Sequence, residues 1–208
     1  MARRVITIAR SLGAGGEEIA LLVAKEMGFR YVDEEIISTA AERAGVSPET
    51  IAQAERSEPL IMRVLDAMGR FPVDPLVGPA VAFASDPSLR SPAYEELIEE
   101  VVRETAARGN VVIVAHGAGI HLAGTEAVLR VWVTGSAAAR AEQLKREANL
   151  DERRAGKAIQ DSDRQRRQYL RRFCDIAQES PTHYDLVINT DVLTAQQAAK
   201  LIVATSKL

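Results

Sequence analysis

"VITIARSLGAGGEEIALLVAKEMGF", residues 5–29, decides how this chain folds. Val5 to Ala9 is short, apolar and largely β-branched, which is strand composition. Gly13, Gly15 and Gly16 follow as a loop. From Glu17 to Met27 the apolar residues Ile19, Leu22, Val23 and Met27 recur at helical spacing, and Gly28 stops the run. Strand, glycine loop and helix in that order build an anion site. Glycine lets backbone N–H groups approach the anion closely, and the helix start adds orphan N–H groups and the positive end of its dipole.

The charges of the loop follow a different logic. A phosphate loop reads G-x-x-x-x-G-K-[ST]. With its last glycine set at Gly15, Arg10 falls at the first glycine, Gly16 at the lysine and Glu17 at the hydroxyl residue that holds magnesium. A Glu17 carboxylate suits Mg2+, a hard cation that takes oxygen ligands, but it cannot itself stabilise a γ-phosphate. On the loop alone two readings stay open. One is a donor-phosphate site made of Arg10, Gly13, Ala14, Gly15, Gly16 and Glu17. The other is a plain strand-to-helix turn.

Beyond the loop, strands keep alternating with helices. "FRYV" (29–32) is a second short strand, and Glu34 to Arg43 reads as a helix closed by Gly45. "SPET" from Ser47 has the form of a helix start, with Ser47 as cap and Pro48 in the first turn. Phe71 to Pro92 holds five of the eight prolines and reads as a loop or mobile insertion. A helix is expected over Tyr94–Ala107, ended by Gly109 and Asn110. "VVIVA" (111–115) is an unbroken apolar strand of the kind buried on both faces of a parallel sheet, and "VLRVWV" (128–133) is another. Helix follows over Ala137–Ala148, then a charge-dense run from Asp151 to Arg172, a strand over Tyr184–Asn189 and a closing helix over Thr194–Thr205. This is an α/β chain with a parallel sheet. Ligands of such sheets sit beyond the carboxyl ends of the strands, here near Arg10–Gly16, Asp33, His116–Gly119 and Thr134–Ser136.

The bulk composition narrows the function classes. The 208 residues suit one domain, and 47% hydrophobic with 26% charged residues favours a packed core. A net charge of -3 gives no case for a nucleic-acid protein. No apolar run approaches the ~18 residues of a membrane span, and no targeting segment is legible, so a cytoplasmic protein without membrane or nucleic-acid partners is expected. A single cysteine, Cys174, rules out an internal disulfide and any multi-cysteine metal site; at helical spacing in "RRFCDIAQ" it reads as a buried structural thiol. His116, His121 and His183 have no metal-ligand spacing, and Trp132, inside an apolar strand, reads as core.

Four segments, in order, resemble the cytidylate kinase-like family of P-loop proteins. "ITIARSLGAGGEEIALLVAKEMGFRYVDEEII" resembles its opening, an apolar strand, a glycine loop without lysine and a later Tyr-x-Asp before Ile-Ile. "VVIVAHGAGIHLA" resembles its apolar strand running into Gly-Arg-Gly-Ala. "DSDRQRRQYLRRF" resembles its lid, with Asp163, Arg166 and Tyr169 as D-x-x-R-x-x-Y. "HYDLVINTDVLTAQQAAKLI" resembles its closing strand and helix.

The resemblance implies a nucleoside-monophosphate kinase fold over the whole chain: a core at 1–46 and 93–208, a monophosphate-binding insertion at about 47–92 and an arginine-bearing lid at about 150–175. It implies transfer of a phosphoryl group from ATP to CMP or dCMP with Mg2+. Such transfer needs positioning and cations around the equatorial oxygens, and the lid supplies them in number. Arg166 is the expected phosphate-touching finger, oriented by Asp163 three residues earlier on the same helix. Asp33, His116 and Arg140 are expected on the substrate side, and Glu17 on the metal.

Three departures from the family pattern each lose a cation. Glu17 stands for arginine in Gly-Gly-Arg-Glu, Glu34 for arginine in Asp-Arg-Glu, and His116 for arginine in Gly-Arg-Gly. Two further readings therefore accompany the kinase: a nucleotide-binding or regulatory protein with little turnover, and a small-molecule kinase with a non-nucleotide acceptor. Leu60, Ile61, Val64, Leu65 and Met68 are more apolar than one insertion needs, which suggests a homodimer.

Overall fold

The computed structural model describes residues 3–33, 39, 43, 92–115 and 117–208. The expected helix start at Ser47, the proline-rich stretch up to residue 91, the apolar dimer candidates, Glu34 and His116 lie outside the described residues, as does most of the helix expected over Glu34–Arg43.

Five strands form one parallel sheet: β1 (Val5–Arg10), β2 (Arg30–Val32), β3 (Val111–Val114), β4 (Val128–Thr134) and β5 (Leu186–Asn189). Their order across the sheet is β2-β3-β1-β4-β5. Val5 lies opposite Val111 on one side and Val128 on the other, so β1 is central. That explains its composition. A central strand is covered on both faces, and Val5 through Ala9 are all buried, as are all four residues of β3. Because β3 and β4 flank β1 from opposite sides, the chain reverses direction across the sheet there, and a crevice opens beyond the carboxyl end of β1.

The helices divide between the faces. α1 (Gly16–Met27) and α6, the closing helix (Ala195–Ser206), pack Ile19, Val23, Ile202 and Val203 against Ile6, Ile8, Val131 and Val133. α2 (Pro92–Ala107) and the one-turn α3 (Ala118–His121) cover the other face with Ile98, Val101, Val102 and Ala118 over Val5, Val111 and Ile113. α4 (Ala137–Ala148) and α5 (Glu152–Phe173) make a separate seam of Leu144, Ala155, Ala158 and Ile159, against which Leu12 of the glycine loop packs.

Local chemistry sets the boundaries. The Ser136 hydroxyl accepts from Ala139 N–H at the start of α4, and the Asp151 carboxylate accepts from Arg154 N–H at the start of α5. Thr194 and Gln197 cap α6 reciprocally. Gly28 ends α1 at φ 66° with its N–H on Ala24 and Lys25 carbonyls. Helix α2 begins two residues before the Tyr94 expected from the periodicity, at Pro92, a residue suited to a first helical turn.

Candidate active site

The glycine loop leaves β1 with Gly13 at φ 76° and Gly15 at φ 70°, conformations that L side chains rarely adopt. A Cβ on Gly13 would also stand 2.4 Å from the Arg140 carbonyl oxygen. Gly15 is the N-cap of α1 and brings no side chain to it, so the first-turn N–H groups keep donor capacity for a ligand or water. A cavity of about 470 Å³ opens beside the loop. It is walled by Gly13–Gly15, by Arg140, Gln143 and Arg146 of α4, and by Val192–Thr194 after β5.

Arg10 ends β1, and its stem crosses Gly16 so closely that a Cβ there would lie 2.5 Å from Arg10 Cβ. Its Nε donates to Glu17 Oε1 at 2.5 Å, and its Nη2 lies 3.7 Å from Asp33 Oδ2. The Tyr31 hydroxyl donates to the same Asp33 oxygen at 3.1 Å. Burial works against the charge on Arg10, but Glu17 and Asp33 outweigh it and hold the guanidinium firmly protonated. Burial pushes the Asp33 carboxyl up, with Arg10 and the Tyr31 hydrogen bond pulling it back. Thus Arg10, Glu17 and Asp33 do come together, as one clasp.

Two further arginines brace the loop from behind. Arg140 is buried and bidentate to Asp163, at 2.9 and 2.8 Å, and also donates to Gly135 and Leu12 carbonyls at 3.1 and 3.3 Å. Arg166 is buried too. Its Nε donates to Glu179 at 2.8 Å, its Nη2 to Glu179 and the Tyr184 hydroxyl, and its Nη1 to the Arg10 carbonyl at 3.0 Å. The Tyr184 hydroxyl in turn donates to Glu179. Each of the two carbonyls flanking Ser11 therefore accepts from a buried arginine that a carboxylate holds.

This corrects one expected pairing. Sequence spacing pairs Asp163 with Arg166, three residues away on α5; the Asp163 carboxylate instead clasps Arg140, 23 residues earlier. Glu179 takes that place on Arg166. Glu179 has no motif signal in "QESPTHYD", and Tyr184, though it opens the segment read as the closing strand, shows no sign there of a polar role; only the packing of the segment before β5 against α5 brings both to Arg166. Asp191 accepts from Ser136 N–H at 2.7 Å and ties the β5 loop to the start of α4.

Near the carboxyl end of β3, Cys174 Sγ lies 3.8 Å from His121 Nε2, and His121 Nδ1 lies 3.9 Å from Glu99. Cys174 is partly buried, where a buried thiol is expected from the sequence, and that burial pushes the thiol up to about 12. No cluster of metal-ligating side chains occurs among the described residues. No helix among them is long and apolar enough to cross a membrane.

A parallel sheet whose central strand runs into a left-handed glycine loop and an uncapped helix start is the architecture of a P-loop kinase. The sequence pattern of the Cytidylate kinase-like family matches residues 5–192, and the chain belongs to that family. No curated protein matches it. Among solved structures it is similar to an uncharacterized protein from Eubacterium ventriosum, at 17% identity and TM-score 0.66, over 98% of both chains. It is also similar to TT1252 from Thermus thermophilus, at 14% identity and TM-score 0.50, over 99% of this chain and 98% of the other. At these identities the likeness concerns the fold.

Proposed function

We propose that this protein is a phosphotransferase that moves the γ-phosphoryl group of ATP to CMP, dCMP or a similar small acceptor. The observation that carries this reading is the path of Arg10. Its stem crosses Gly16, the residue at the lysine position of the phosphate-loop pattern, so a guanidinium from the strand stands in for the missing ammonium. The donor phosphates would lie on the N–H groups of Gly13–Gly16 with Arg10 beside them, and the rest of the donor in the adjoining cavity. Asp33, across Arg10 from Glu17, faces the acceptor, with His116 as the further residue proposed there; Arg140, expected on the substrate side, is instead engaged with Asp163 and the Gly135 and Leu12 carbonyls.

Glu17 fits a magnesium ion in donor type. Mg2+ in such sites is held by one or two carboxylates together with the substrate phosphates, and Glu17 is half exposed at the helix start. When bound, the ion would neutralise charge on the transferring phosphate. The protein's own contribution is positional. Arg140 with Asp163 and Arg166 with Glu179 fix both flanks of Ser11, and a loop held that rigidly pre-organises its N–H groups toward the donor. In this reading Arg166 acts through the loop, and Arg10 is the cation nearest the chemistry.

A second reading, a nucleotide-binding protein with little turnover, is favoured by the same clasp, because Arg10 is already neutralised by two carboxylates. An ADP-release assay with Mg-ATP against a panel of nucleoside monophosphates, with a no-acceptor control, separates them. Release stimulated by CMP or dCMP supports the kinase. Stimulation only by non-nucleotide hydroxyl compounds moves the acceptor class. ATP binding by calorimetry with no stimulated release supports the binding protein.

A further inference from the structure

Glu17 is the residue that sets the glycine loop apart. The family pattern has arginine there, and this chain has a carboxylate whose oxygen takes the Nε proton of Arg10 at 2.5 Å. Asp33 approaches the same guanidinium at 3.7 Å. Glu17 and Glu18 both stand in the first turn of α1, where an incoming phosphate would meet the helix N–H groups. The cation that replaces the loop lysine is thus occupied from inside, and the mouth of the site carries negative charge.

Resting on the reading of the loop as a donor-phosphate site, we propose that Glu17 is a specificity-determining residue that makes this site accept a polyphosphate only as its divalent-metal complex. A free polyphosphate must take Arg10 from Glu17 while being repelled by Glu17 itself. With a divalent cation on the phosphate, the Glu17 carboxylate would help hold that cation instead of Arg10, and Arg10 would be free to meet the phosphate. The repulsive element against the wrong ligand form and the attractive element for the right one are then a single side chain. Asp33 stays on Arg10 in both cases, steadied by Tyr31, so the release is not a loss of all anchoring. Because Glu17 is half exposed and caps no helix, its replacement leaves the core packing of the loop intact.

The test is calorimetric and needs no acceptor. The full chain is titrated with inorganic tripolyphosphate, once with excess chelator and once with Mg2+, as wild type, as Glu17→Gln and as Glu26→Gln, which removes the same charge from the exposed far end of α1. The wild type is expected to bind at least about tenfold more tightly with Mg2+, and Glu17→Gln to bind the metal-free ligand about tenfold or more tighter than wild type, the scale of one close charge pair. Glu26→Gln is expected to behave as wild type. If Glu17→Gln binds metal-free tripolyphosphate no better than wild type, or if Glu26→Gln gains as much, the proposal is overturned while the phosphate site stands. If no variant binds tripolyphosphate with or without Mg2+, the donor-phosphate reading falls and takes this one with it.

Discussion

Arg166 and His121 illustrate how burial sets the work a charged or titratable side chain can do. Arg166 is held by Glu179, Tyr184 and the Arg10 carbonyl almost out of solvent. Truncation would leave the largely buried Glu179 carboxylate with the Tyr184 hydroxyl but no cation, so Arg166→Ala should destabilise the fold by about 3–5 kcal/mol, read from urea unfolding. Unchanged stability would mean that the ion pair opens in solution and that Arg166 is available as a finger. His121 is pushed below its ordinary 6.5 by burial and by Arg103, with Glu99 opposing. The unfolded chain therefore binds more protons than the folded one just below pH 6.5. Its contribution to stability is fully present above pH 6.5 and is lost as pH falls. Unfolding free energies measured between pH 5 and 8 should fall on the acid side, and His121→Gln should reduce that slope.

At the scale of elements, α4 and α5 form the seam on which the loop leans. Leu144 is fully buried there among Ala155, Ala158 and Ile159, and Leu12 of the loop packs on the same cluster. Leu144→Ala should cost about 2–5 kcal/mol as a cavity in a close-packed seam. The same packing predicts a coupled functional effect. Asp163→Asn keeps the shape of the Arg140 brace but removes its charge, so ATP affinity should drop several-fold by calorimetry with only a modest change in melting temperature. A large stability loss with unaltered ATP affinity would show that the brace supports the helix pair and not the loop. Gly13 belongs to this scale as well. Besides its positive φ, the close approach of the Arg140 carbonyl leaves no room for a Cβ there, and that contact joins the loop to the start of α4.

At the scale of the whole molecule, the loop, the α4 start and the β5 loop come from three distant parts of the chain and meet at one end of the sheet. A ligand that bridges them should stabilise all three together. At a hundredfold excess over its Kd, Mg-ATP should add about 2.7 kcal/mol to the folded state. For a domain of this size that is a rise of roughly 5–10 °C in Tm, readable by differential scanning fluorimetry. No shift at millimolar Mg-ATP would count against both functional readings of the loop.

The sequence by itself determined the strands and long helices among the described residues, the parallel sheet and the glycine loop, but not the one-turn α3. Those are local signals: β-branched apolar runs for β1 and β3, helical spacing in α1, and glycines such as Gly28 that stop a helix. It also singled out Arg10 and Glu17 by their place in the glycine-loop pattern, and Asp33, Arg140, Asp163 and Arg166 through the resemblance to the family. Only the tertiary structure decided which of these touch. Asp163 and Arg166 are neighbours on one helix turn, and sequence spacing alone pairs them. In the fold their partners are Arg140 and Glu179, brought in by the packing of α4 and of the segment before β5. Ion pairs across 23 residues or between separate elements depend on where helices dock on the sheet, and docking is set by the sum of many apolar contacts that no local pattern contains.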